Sequence, residues 1–237
     1  MSTPLHLILL AGGKGLRAGG IAEVPKQFRV TGQGALFAVS LREFLSPGAG
    51  RAWHLASVVV TAPGAWRGEV AKELTALSIP WQVAEPGPSR TASTWSATAV
   101  LLREIAPGPD DLVAVHDAAR PFATVALLDA LAQAALASGG AIPGVPVPDT
   151  IVQSTGGGAA YLRRESLVAV QTPQVFRWSG FEPAHRWAHD EDRDFTDDGG
   201  LMAQQGQHPV VVPGEPGNWK VTSAADWQRA AERLEKP

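Results

Sequence analysis

Cysteine is missing from all 237 residues, which excludes disulfides, thiolate metal sites and a cysteine nucleophile. There is no apolar run near the roughly 20 residues that a membrane-spanning helix needs. Positive charge is not in excess either. The 20 Lys and Arg face 23 Asp and Glu, a formal net charge of −3, so no global field draws in nucleic acid and any anion site must be local. The first residues, Met1 to Pro4, carry no basic stretch leading into a long apolar segment, and they read as the mature start of a cytoplasmic protein. Internal repeats, heptads and extended low-complexity tracts are absent too. What is there, 45% hydrophobic and 18% charged, is enough for one full core, and a single domain over 1–237 is expected.

Short apolar runs alternate with Gly/Pro turns and helix-compatible segments, the rhythm of a mostly parallel sheet flanked by helices in an α/β fold. Leu5 to Leu10, Ala56 to Thr61 and Leu112 to Val115 read as strands buried on both faces. Trp81 to Ala84, Gly140 to Val145 and Pro209 to Val212 are further strands. Helices are expected over Ala35 to Leu45, Arg67 to Leu77, Arg90 to Ile105 and Thr124 to Ala137. One stretch, about 146–170, breaks the pattern. Two β-prone pieces, Thr150 to Gln153 and Tyr161 to Val168, flank Ser154-Thr155-Gly156-Gly157-Gly158 and read as a projecting hairpin arm. An isolated hairpin is marginal in water, so this arm should pack on something, and a second subunit in a homodimer is the expected partner.

Two segments carry chemistry. The first follows the opening strand: Ala11-Gly12-Gly13-Lys14-Gly15-Leu16-Arg17, and beyond it Pro25-Lys26-Gln27-Phe28. Glycines let backbone N–H groups approach an anion, and Lys14, Arg17 and Lys26 add positive charge, a combination that fits a triphosphate. A dinucleotide fold is disfavoured because Gly19, Gly20 and Pro25 interrupt the helix it needs, and Gly32 to Phe37 holds no carboxylate. The Walker pattern fails because no Gly-Lys is followed by Ser or Thr. The second segment runs from Leu112 to Val115 into His116-Asp117-Ala118-Ala119-Arg120-Pro121. Asp117 is a hard oxygen donor suited to Mg2+, whereas His116 fits a structural role better, since magnesium seldom chooses imidazole. Arg120 either binds phosphate or anchors Asp117. The acidic run Asp190 to Asp194 reads as a solvated face, and the roles of Asp197 and Asp198 stay open.

In order along the chain, these segments resemble the 2-C-methyl-D-erythritol 4-phosphate cytidylyltransferase family. The further landmarks are Arg90-Thr91-Ala92-Ser93, Pro148-Asp149-Thr150, Gln171-Thr172-Pro173-Gln174, Thr196-Asp197-Asp198 and Asn218-Trp219-Lys220-Val221-Thr222. The resemblance implies a Rossmann-like domain with a β-arm clasping a partner subunit, CTP and a polyol phosphate as substrates, and a divalent cation. It also implies that Arg17, Lys26 and Lys220 are catalytic cations and that Asp117 holds the metal. Nucleotide contacts would come from Ala11, Gly12, Gly13, Gly15, Gly87, Arg90, Ser93 and Ala118, and acceptor contacts from Arg120, Thr150, Arg164 and Thr172. Ribitol 5-phosphate is the alternative acceptor; a nicotinamide-dependent reductase or a non-catalytic nucleotide-binding regulator are more distant readings. Three positions depart from the family: it usually has alanine where Gly13 and Gly199 stand and often an acidic residue near Pro88. No general base is called for, because a phosphate monoester with a second pKa of about 6 is already an oxyanion near neutral pH.

Overall fold

The computed structural model describes residues 2–13, 24–46, 51–154 and 156–235. In chain order the elements are β1 (Thr3–Leu10), β2 (Val30–Thr31), β3 (Gly34–Ala35), α1 (Leu36–Phe44), β4 (Trp53–Thr61), α2 (Arg67–Leu74), β5 (Trp81–Ala84) and α3 (Arg90–Glu104). They continue with β6 (Leu112–Asp117), α4 (Val125–Ser138), β7 (Gly140–Pro146), β8 (Ile151–Ser154), β9 (Ala159–Leu162), β10 (Val168–Val170) and β11 (Gln174–Arg177). The last are α5 (Trp178–Asp190), α6 (Asp198–Gln204), β12 (Val210–Pro213) and α7 (Ala224–Leu234). The main sheet has eight strands ordered β10-β7-β11-β6-β1-β4-β5, with β12 paired to β7. β1, β4, β5 and β6 run parallel, as do β7 and β12, while β11 and β10 are antiparallel.

Alternation along the strands makes this a two-faced sheet. Leu5, Leu7, Leu9, Val58, Val60 and Leu112 join α1, α2 and α4 in one apolar cluster; Ile8, Val59, Val113 and Val115 join α3, α5 and α6 in another. Both sets are fully buried, which is why these runs carry almost no polar residue. The chain leaves β1 towards β4 and β5 on one side and then returns to β6 on the other. The crevice at the carboxyl ends of β1 and β6 is therefore the topological switch point, where open α/β sheets bind ligands.

The arm differs in detail from its expected form. β8 and β9 make an antiparallel two-stranded hairpin of their own. The second β-prone piece is split: after β9 a 3₁₀ turn at Arg164–Ser166 intervenes, and Val168–Val170 returns to the main sheet beside β7. Elements outside the expected set are the short β2 and β3, β11, α5, α6 and α7. β11 is wedged between β6 and β7, and α5 buries Trp178, Phe181, Ala184, His185 and Ala188 on one face despite Pro183.

Candidate active site

The switch-point crevice is a cleft of about 620 Å³. Gly12, Gly13, Lys26, Gly87, Arg90, Ser93, Asp117 and Lys220 all line it, although the chain separates the first from the last by most of its length. The glycine turn is tightly held. Ala11 donates its N–H to the carbonyl and hydroxyl of Thr61 (3.1 and 3.2 Å), so its own donor is spent within the protein. A Cβ on Gly12 would come within 2.2 Å of the Pro86 side chain, so only glycine fits there. At Gly13 a Cβ would meet nothing within 4 Å, and packing does not explain that departure from the family. Gly15 and Arg17, with Lys14, lie outside the described residues.

Lys26 begins a 3₁₀ turn, Lys26–Phe28, whose Phe28 stacks on Trp66 (ring centroids 4.8 Å apart) and meets Phe37 edge-on. The ammonium of Lys26 donates to the carbonyl of Val221, which ties this turn to the loop that carries Lys220. That loop is ordered by the N-terminus of α7. Asp226 accepts from the Thr222 N–H (2.9 Å), the Thr222 hydroxyl (2.7 Å) and the Ser223 N–H (2.8 Å), and its own N–H donates to the Ser223 hydroxyl oxygen (3.1 Å) in a capping box. Those bonds, the Thr222 hydroxyl foremost, hold the Asp226 carboxyl below its ordinary value.

Asp117 is the electrostatic centre. Its Oδ2 lies 2.7 Å from Lys220 Nζ and its Oδ1 is 3.4 Å from Arg90 Nε. Burial pushes its carboxyl up, but Arg90 and Lys220 outweigh this and hold it at about 2. Arg90 reaches back to Asp198, with 2.8 Å between Nη2 and Oδ2, and the buried His185 faces the other oxygen of Asp198 at 3.3 Å. Burial works against the charges of Arg90 and Asp198; mutual attraction wins, raising the guanidinium and lowering the carboxyl. The open pair of acids thus divides. Asp198 supports Arg90, while Asp197 caps α6 through the Gly200 N–H and accepts from Gln174 (2.8 Å). A Cβ at Gly199 would approach the Ile142 side chain to 3.0 Å, so an alanine there requires Ile142 to give way by a few tenths of an ångström. Asp190 to Asp194 are exposed, as expected.

His116 is fully buried and structural. Its Nε2 pairs with the Arg120 carbonyl (2.9 Å) and its Nδ1 with Thr172 Oγ1 (3.1 Å), and that oxygen also accepts the Asp117 N–H (3.0 Å). Burial lowers the imidazole to about 4. Thr172 therefore sits directly behind Asp117. The Arg120 guanidinium does not bond the Asp117 carboxylate directly: its Nη1 bonds the Asn218 carbonyl (2.8 Å), with Val170 O at 3.5 Å from Nη2, while its backbone N–H donates to the Asp117 carbonyl (2.9 Å). Ser93 Oγ reaches the carbonyls of Ser89 (2.7 Å) and Gly87 (3.3 Å). Ala118 is fully buried and donates to Leu10 O (3.0 Å), leaving Ala119 to line the cleft. Thr150 and Arg164 sit on the arm and do not line the cleft of their own chain; Arg164 is exposed and donates to Pro148 O (2.7 Å). Sequence reasoning left Gln27, Thr61, Thr222 and His185 without a role. Of these, Gln27 and Thr222 lay inside quoted motifs.

Over residues 5–236 the chain matches the family profile for 2-C-methyl-D-erythritol 4-phosphate cytidylyltransferase, IspD. It is 36% identical over 236 residues to the bifunctional enzyme IspD/IspF of Anaeromyxobacter dehalogenans, covering 97% of this chain and 57% of the relative. The same identity holds over 230 residues with the 2-C-methyl-D-erythritol 4-phosphate cytidylyltransferase of Salinibacter ruber, covering 95% and 91%. The chain thus spans little more than half the length of the bifunctional relatives it matches. Among solved structures, the 2-C-methyl-D-erythritol 4-phosphate cytidylyltransferase of Thermus thermophilus superposes with a TM-score of 0.71 at 28% identity, covering 95% and 96%. The 4-diphosphocytidyl-2C-methyl-D-erythritol synthase of Anaerococcus prevotii shares the fold at a TM-score of 0.78 and 20% identity, covering 99% of each chain. The chain belongs to the 2-C-methyl-D-erythritol 4-phosphate cytidylyltransferase family.

Proposed function

We propose that this protein transfers a cytidylyl group from CTP to 2-C-methyl-D-erythritol 4-phosphate, releasing pyrophosphate. The observation that carries the reading is the convergence of Lys26, Arg90, Asp117 and Lys220 on one cleft floored by the Gly12-Gly13 turn. An acceptor phosphate oxygen attacks the α-phosphorus, a P–O bond forms, and the bond to the bridging oxygen of the β-phosphate breaks. The electron pair leaves with pyrophosphate, and no proton need be removed from the nucleophile. The demand is electrostatic, since two polyanions must meet and charge accumulates at the α-phosphate. Lys26 and Lys220 are the cations for that charge, and Arg17 joins them on sequence grounds alone. Ser93 and the backbone around Gly87 face the nucleoside.

Asp117 fits a divalent cation. It is a deprotonated hard-oxygen donor at a strand end in the cleft, and among the described residues its Oδ1 has the long contact to Arg90. The described residues contain no cluster of three acidic or imidazole ligands, so triphosphate oxygens and water would complete the shell, the manner in which magnesium is commonly held. Bound there, the ion would neutralise polyphosphate charge. The arm supports a homodimer with a shared acceptor site: Val152, Tyr161 and Leu162 are exposed on a two-stranded hairpin that needs a partner. Thr150 and Arg164 would then serve the neighbouring cleft, with Thr172 and Arg120 contributed by the cleft's own chain. The test is pyrophosphate release from CTP, with and without magnesium, with 2-C-methyl-D-erythritol 4-phosphate or ribitol 5-phosphate as acceptor. We expect magnesium-dependent release with the first acceptor; release only with the second would overturn the assignment.

A further inference from the structure

Gln27 stands between the catalytic Lys26 and the core anchor Phe28, and it is buried, with 3% of its surface exposed. Its amide nitrogen lies 2.7 Å from the carbonyl oxygen of Ala11 and 2.7 Å from that of Gly13. A primary amide has two N–H donors, and this geometry uses both, one on each side of Gly12. The reverse orientation would set the amide oxygen against two carbonyl oxygens, so the hydrogen-bond network fixes which atom is nitrogen. The same turn is held from the other directions by Pro86, against Gly12, and by Thr61, which takes the Ala11 N–H.

A turn that is to accept a polyphosphate must offer N–H groups and keep carbonyl lone pairs out of the way, because a carbonyl dipole repels an anion as an N–H dipole attracts it. We propose that Gln27 is a positioning residue for nucleotide binding: by engaging the carbonyls of Ala11 and Gly13 it sets the Gly12-Gly13 turn in its phosphate-accepting form. Phe28, locked against Trp66 and Phe37, gives the amide a rigid base. Because Lys26 precedes Gln27 and bonds Val221 O, one short 3₁₀ turn sets the glycine turn, the catalytic ammonium and the Lys220 loop relative to one another. The inference rests on the cytidylyl-transfer reading, since it takes the ligand of the turn to be the triphosphate of CTP.

The test compares Gln27→Met, which keeps the length and loses both donors, with Gln27→Glu, which sets carboxylate oxygens against the two carbonyls. In the full chain, Gln27→Met should raise the KM for CTP and weaken pyrophosphate binding, measured by calorimetry, by about tenfold, while the KM for the acceptor stays within about twofold. Gln27→Glu should be worse than Gln27→Met on both nucleotide measures. A role in packing alone predicts the opposite order, or a lower Tm with equal shifts in both Michaelis constants, and either result overturns the proposal. If Gln27→Met does not fold, Gln27→Asn takes its place, and a CTP constant equal to that of the unmodified chain would then overturn it. Unmodified protein that releases no pyrophosphate defeats the functional reading itself; normal turnover with unaltered nucleotide constants in the variants defeats only the role of Gln27.

Discussion

His116 and Asp117 are adjacent and both buried, yet one is kept neutral and the other charged. Asp117 has Arg90 and Lys220 beside it; His116 bonds a hydroxyl and a carbonyl, and its burial outweighs the charge of Asp117. The difference has a pH signature. An unfolded chain protonates His116 near the ordinary 6.5, whereas the folded chain waits until about 4, so the unfolded state binds more protons between those values. Stability therefore falls as pH drops from 6.5 towards 4, by on the order of a few kcal/mol. His6, lowered by its own burial, adds to this limb. Asp117 contributes its loss only later, from its ordinary 3.8 down to about 2. Thermal unfolding followed from pH 7 to pH 5 should show a falling midpoint, and His116→Gln should flatten that slope without abolishing it. An unchanged slope in the variant would remove His116 as the cause. The structural role of His116 was legible from residue chemistry alone. The division of labour between Asp197 and Asp198 was not, because their partners Gln174, Arg90 and His185 come from other elements and no local pattern names them.

Helix α7 acts through its first turn. Ser223 caps the helix, and Asp226, its capping-box partner, also accepts from the Thr222 backbone and hydroxyl, two residues beyond Lys220. Asp226→Ala should lower unfolding free energy by about 1 kcal/mol, on the order of the net worth of a hydrogen bond lost from the capping box. It should also slow pyrophosphate release at saturating substrates while the protein remains folded, because Lys220 loses the brace of its loop. A lower Tm with an unaltered kcat would show that Lys220 holds its place unaided. At this scale, elements with a clean period were readable in advance. The continuous apolar runs became β1, β4 and β6, and the expected helices after them became α1, α2, α3 and α4. β11 and α5 escaped for physical reasons. β11 is four residues long and antiparallel in a mostly parallel sheet, and α5 carries Gly180 and Pro183, residues that weaken any helical reading even though its buried positions recur at helical spacing.

On the proposed reading, one chain supplies the cleft and the arm of a second supplies Thr150 and Arg164 to the acceptor. That partition gives a genetic test of the shared site. Lys26→Ala should lower turnover by about 100-fold, the worth of one transition-state donor. Arg164→Ala should chiefly raise the KM for the acceptor. If the arm serves its neighbour, co-expressing the two variants yields mixed dimers in which one cleft has neither substitution. Random pairing then restores about a quarter of normal activity. Were each site built within one chain, mixing would restore nothing. The arm was visible in sequence as a glycine-rich break in rhythm, but its boundary was not: the β-prone run continues through Val168, and only pairing with β7 decides where the sheet resumes.

The ion pair between Asp117 and Lys220 joins positions 103 residues apart. Synthesis adds about 5–20 residues each second, so β1, β4, β5 and β6 leave the ribosome several seconds before Lys220 does. Until then a nascent chain holds the Asp117 carboxylate in the half-made crevice with Arg90 beside it and without its Lys220 partner, and on the proposed reading the cleft is complete only once translation has passed the loop ahead of α7.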